Sequence, residues 1–151
     1  MAGIVSYDLL NSKTNTNGTW FTAEGGVYAT YINNTGVASV KGTIVVASTA
    51  LDNAVEIASA SSQMPIGVVY ETGVANGDPV KVVIYGRAEV LLKDGESATQ
   101  GYWCGVSDTA GRMYQQLTAP STTEHNREIG HSLETTASGT DVLSMVTLHF
   151  N

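Results

Sequence analysis

Apolar positions recur along this chain with a period of two, most clearly in VKVVIYGRAEVLLK, residues 80–93. Val80, Val82, Ile84, Gly86, Ala88, Val90 and Leu92 alternate with a second set that includes Lys81, Tyr85, Arg87, Glu89 and Lys93. Successive strand residues point to opposite faces, so this pattern predicts one long half-buried strand. A glycine inside such a run marks a bend, here at Gly86.

Shorter runs of the same kind predict strands at about Trp20–Thr30, Val40–Ala47, Ala54–Ala60, Ile66–Glu71, Tyr102–Ser107, Arg112–Leu117, Glu128–Glu134 and Val142–Phe150. Between them stand turn formers: Asn76-Gly77-Asp78, Asp94-Gly95 and Thr109-Ala110-Gly111. Short strands at this density give an all-β domain, a compact single-domain β-barrel or sandwich, rather than alternating βαβ units. The division is an N-terminal arm over residues 1–19 and a β domain over 20–151. The arm is rich in Asn, Thr and Ser, with apolar residues mainly at Ile4–Tyr7 and Leu9–Leu10. It reads either as a frayed terminus or as a segment that orders on a partner.

An internal echo sharpens the picture. PIGVVYETGVANGDPVKVVI (65–84) aligns without a gap to EIGHSLETTASGTDVLSMVT (128–147). Ile66 matches Ile129, Gly67 matches Gly130, Glu71-Thr72 matches Glu134-Thr135, and Asp78 matches Asp141. Each copy reads as strand, loop, Asp, strand, which favours a repeated structural unit and places His131 at the position of Val68.

Composition then narrows the function classes. The chain has 151 residues, enough for one domain that folds without metals or disulfides, and one cysteine, Cys104, which suits a reducing compartment. MAGIVSYDLL lacks a basic start, and no stretch approaches membrane-spanning length, so a non-secreted chain without a membrane span is expected. Asn17-Gly18-Thr19 and Asn33-Asn34-Thr35 match glycosylation acceptors but are read as loop residues in that context. Seven basic residues against fourteen acidic ones give a formal charge of −7, and the basic residues are scattered. That argues against direct nucleic-acid binding, which rests on basic patches.

Candidate chemistry centres on EHNREIGHSLETT, residues 124–136, which holds two of the three histidines in the chain. As a helix it would carry a Ser121–Glu124 capping box and align Glu124, Glu128 and His131 on one face, a carboxylate and imidazole set suited to a metal. That helix would have to run through Gly130, between strand-like segments. The strand reading puts Ile129, His131 and Leu133 on one face and Glu128, Gly130, Ser132 and Glu134 on the other. His131 is then a hydrogen-bonded core or interface residue, Ser121 to Arg127 forms a capped turn, and no metal, cofactor or catalytic residue is assigned. Cys104 in YWCGVS reads as a packed thiol, and Asp108 as a turn residue. The pieces GTI, GVV and GDPV lack the spacing of phosphate loops. SYDLL is similar to the first motif of the trimeric hydrolase of deoxyuridine triphosphate, but that enzyme's later Gly- and Arg-bearing signatures are missing.

Three pieces in order, PIGVVYETGVANGDPVKVVIYGRAEVLL, GYWCGVSDTAGRM and REIGHSLETTASGTDVLSMVTLHF, resemble the decoration (cement) and head-fibre proteins of tailed bacteriophages. The resemblance covers roughly residues 40–151, with an opening strand near Gly42-Thr43-Ile44-Val45. It implies a non-catalytic β-barrel domain, often a homotrimer, made in the host cytoplasm and bound to the major capsid protein on the outer face of the virion head. It also implies an N-terminal arm that contacts the shell. On that basis Tyr7, Leu9, Leu10, Trp20 and Phe21 are capsid-binding candidates. Tyr102, Trp103, His131, His149 and Phe150 are candidates for a subunit interface or the core. Two other readings remain: a head-fibre or tail module recognising a glycan or receptor through Trp103 with Asp108 or Tyr31 with Asn33 and Asn34, and a small trimeric β-barrel enzyme.

Overall fold

The structure is a computed structural model, and it describes residues 20–150. Its strands are β1 (Trp20–Phe21), β2 (Gly26–Asn33), β3 (Ile44–Ala47), β4 (Ala54–Ile57), β5 (Gly67–Val69), β6 (Pro79–Leu91), β7 (Trp103–Val106), β8 (Met113–Gln116), β9 (Glu128–Ser132) and β10 (Leu143–Leu148). A single 3₁₀ turn, His125–Arg127, precedes β9. The domain is therefore all-β, as the periodicity implies. No helix among the described residues is long and apolar enough to cross a membrane.

The ten strands form one sheet in the order β1-β2-β4-β3-β5-β6-β10-β9-β7-β8, and β2 also pairs with β6. That extra pairing closes β2, β4, β3, β5 and β6 into a ring. The second half repeats the arrangement. β4-β3-β5-β6 corresponds to β8-β7-β9-β10, every neighbouring pair antiparallel in both. In the first ring β2 runs parallel to β4 and antiparallel to β6. In the second, the end of β6 does the same work: it is antiparallel to β10 from Gly86 to Leu91 and meets Met113 through a parallel bridge at Leu92. The thirteen-residue strand β6 is thus shared between two small barrels, turning from one into the other at Gly86, whose φ is +81°.

Backbone hydrogen bonds show how closely the units agree. Gly42 N–H donates to Val69 O, and Gly101 N–H to Ser132 O. Tyr70 N–H donates to Lys81 O, and Leu133 N–H to Met145 O. The echoed glutamates play one role: Glu71 Oε1 accepts from Lys81 N–H, and Glu134 Oε1 from Met145 N–H. The echoed glycines also share a cause. A Cβ on Gly67 would sit 2.8 Å from Val83 O and collide with Val82, while one on Gly130 would collide with Thr147 O. Only a residue without a side chain lets the two strands approach so closely.

Two differences from the sequence expectation have local reasons. The strand expected over Trp20–Thr30 is a hairpin, turning at Thr22–Gly25, where Gly25 has φ +95° and Thr22 Oγ1 accepts from Gly26 N–H. Strict alternation on residues 80–93 fails at Val83, which is buried although Lys81 and Tyr85 share its parity. The reason is that β3, β5 and this part of β6 are covered on both faces. Val45, Val69, Val80 and Val82 fill the first barrel, while Ile44, Val68 and Val83 join the larger cluster containing Cys104, Met113, Ile129, Val146 and Leu148. Strands buried on both sides carry continuous apolar runs, here IVV and GVV.

Candidate functional sites

The segment that looked chemical in the sequence is where the fold concentrates chemistry. Ser121 to Arg127 forms the expected capped turn: Ser121 Oγ donates to Glu124 Oε2 at 2.9 Å, and Arg127 pairs with Glu124 Oε1 at 2.9 Å. β9 then runs antiparallel to both β7 and β10. Its pairing with β7 slips by one residue: Trp103 faces His131, Cys104 faces Gly130, and Gly105 faces Glu128, so Ile129 is the extra residue of a β-bulge.

This bulge corrects the face assignment. Alternation separates Glu128 from His131, but an inserted residue reverses parity and brings both to the face of Trp103. Ile129 turns into the main core instead. Glu128, expected on the face opposite His131, shares its face and is 1% accessible.

All three histidines surround that carboxylate. His125 Nδ1 lies 2.8 Å from Glu128 Oε2, and His149 Nε2 lies 3.3 Å from Glu128 Oε1. His149 Nε2 and His131 Nδ1 are 2.9 Å apart, and one donor atom each from Glu128, His131 and His149 falls within 4.8 Å of the others. The Trp103 ring packs on His131 at 4.3 Å between centroids and meets His125 edge-on at 6.1 Å. Burial, and then the neighbouring His149 ring, push the His131 imidazole below the usual histidine range. His149 follows the end of β10, and its backbone N–H donates to Ile129 O.

Of the interface or core candidates, Trp103, His131 and His149 therefore belong to one patch. Tyr102 is half-buried and contributes its carbonyl to Ser132 N–H, while Phe150 packs on the main core. The convergence itself escaped the sequence reading. Its available signal was that His131 sits on the first echoed strand and His149 just beyond the second, two residues past Thr147, which pairs with His131.

Cys104 lies on the opposite face, in the core. Its thiol is held between Tyr102 O, at 3.7 Å, and Gln115 Nε2, at 3.6 Å, and burial pushes its pKa up to about 12. A thiol in that state is not a nucleophile at neutral pH. Asp108 forms an ion pair with Lys93 at 2.9 Å. Asn33, read as a loop residue, ends β2 and is buried, donating to Val37 O and Val74 O. It ties loops together.

A second surface lies across β1, β2 and β6. Phe21 pairs with Val27, and Val27 with Tyr85, so the three form one row on one face. Phe21 is 77% exposed and Tyr85 64% exposed. Trp20, half-buried, pairs with Tyr28. The row adjoins the point where the described residues begin, so Tyr7, Leu9 and Leu10 and the arm over 1–19 lie outside them.

No protein-family model matches the chain, and no curated protein matches it.

Proposed function

We propose that the chain is a structural virion protein, a decoration protein that binds the outer surface of a phage head as a homotrimer and stabilises contacts between capsomers. The reading rests on the ordered resemblance over roughly residues 40–151. The observation that best supports it is the pair of exposed aromatic side chains, Phe21 and Tyr85, lined up through half-buried Val27 near Trp20, where the described residues begin. Large aromatic groups left in solvent are the usual anchors of a protein contact, and two of them in one row give that contact a centre. The partner is the major capsid protein.

A cement protein needs no reaction. Each contact with a capsomer is weak, but a trimer touching several gains through effective concentration, and binding only the assembled shell stabilises it by mass action. Deleting residues 1–19 is expected to leave the β domain folded and to abolish decoration of expanded heads. Undiminished decoration by the truncated protein would overturn the arm's role. Glycan-array binding without affinity for heads would support the receptor-binding module instead.

A further inference from the structure

The capsid-binding role makes no use of the cluster around Glu128, which lies on strands of the other barrel. We propose that Glu128, His131 and His149 bind a divalent transition-metal ion of zinc's class, with His125 orienting the carboxylate. Two imidazoles and one carboxylate are a donor set that suits such ions, and three protein ligands leave a fourth position for water.

Geometry carries the proposal. Bonds of about 2.0–2.2 Å to a tetrahedral ion hold its ligand atoms roughly 3–4 Å apart. Here His149 Nε2 stands 2.9 Å from His131 Nδ1 and 3.3 Å from Glu128 Oε1, and the three donors lie within 4.8 Å of one another. Small side-chain movements suffice to admit an ion. Glu128 is fixed by burial, and its other oxygen meets His125 Nδ1 at 2.8 Å. A partner that holds a ligand carboxylate from behind is the outer support that metal sites use. Trp103 holds the His131 ring in place. The His149 side chain is 40% exposed, which gives the ion a way in and the open position a place for water.

Without metal, the two rings share one N–H···N hydrogen bond. The ion replaces it: His131 binds through Nδ1 and carries its proton on Nε2, and His149 binds through Nε2 and carries its proton on Nδ1. Both stay neutral, as metal-bound imidazoles must. The bound ion would cross-link β9 to the residue just beyond β10, closing the sheet end that holds the last strand pair.

The test is calorimetric titration of zinc into the full chain, prepared without an affinity tag and stripped with a chelator, together with thermal unfolding. One zinc per chain and a higher unfolding temperature are expected. His149→Ala, at a half-exposed position, should keep the far-UV spectrum of the parent and lose both effects. His125→Ala should weaken binding by roughly 10–100-fold. Cobalt should give the visible bands of a tetrahedral site in the parent and not in His149→Ala. Glu128→Gln is decisive only if it folds, and His131→Gln replaces it otherwise. Absence of stoichiometric zinc, or undiminished binding by His149→Ala, overturns the proposal. Head decoration is scored separately, since neither result bears on it.

Discussion

The two barrels use one hydrogen-bonding plan with different surroundings. Ile44, Val68 and Val83 are register neighbours across β3, β5 and β6, and Trp103, His131 and Thr147 occupy the corresponding places across β7, β9 and β10. The first trio is buried against the core of the second unit. Among the described residues the second trio is only partly buried, and that face carries the aromatic and imidazole cluster. The interior positions, by contrast, stay buried in both: Val45, Val55, Val80 and Val82 in one unit, Cys104, Met113, Ser144 and Val146 in the other. The two units thus share a backbone pairing plan and a buried interior, and differ on the face that carries the imidazoles.

The echoed glycines give the hardest test of that correspondence. Gly130→Ala should cost roughly 4 kcal/mol or prevent folding, because its Cβ meets Thr147 O and its φ is +146°. Gly67→Ala should cost about 2 kcal/mol, since its clash includes a movable Val82 side chain. Chemical denaturation of both variants measures this, and a neutral Gly130→Ala would break the equivalence.

Exchanging the echoed pair probes the covered and uncovered faces. Val68→His places an imidazole in a fully buried site and should cost about 3 kcal/mol. His131→Val in metal-free protein should cost under about 1 kcal/mol, because that position is half-buried and its loss leaves the barrel interior intact. Equal effects from the two would contradict the difference in covering.

Two smaller effects sharpen it further. Cys104, inside the second barrel with its pKa near 12, should resist thiol reagents at pH 8 in the folded protein and react once unfolded. Rapid labelling of native protein would show that this interior opens. Phe21→Ser and Tyr85→Ser should each change stability by under about 0.5 kcal/mol while weakening head binding, which co-sedimentation with expanded heads would measure.

Much of this architecture is legible from the sequence because period two is a local signal. It places a strand segment at or close to each strand from β3 to β10, the bend at Gly86 and the echo that becomes the paired units β5–β6 and β9–β10, but merges β1 and β2 into one strand. What it misses are events that depend on a neighbour. The hairpin at Thr22–Gly25 needs the close pairing of Gly26 with Gly86 on β6. Burial of Val83 needs a second barrel against the first. Glu128 joins His131 only because Ile129 bulges out of register with β7, and parity within one strand carries no record of that slip. His149 reaches the cluster through strand pairing over eighteen positions of sequence from His131.

The central claim, decoration of a phage head, is tested most directly by electron cryomicroscopy of expanded heads lacking this chain and then incubated with it. Ordered density at regular lattice positions on the outer surface, bridging capsomers and matching trimers of the double barrel, is the expected result. Heads that remain bare at saturating protein would contradict it.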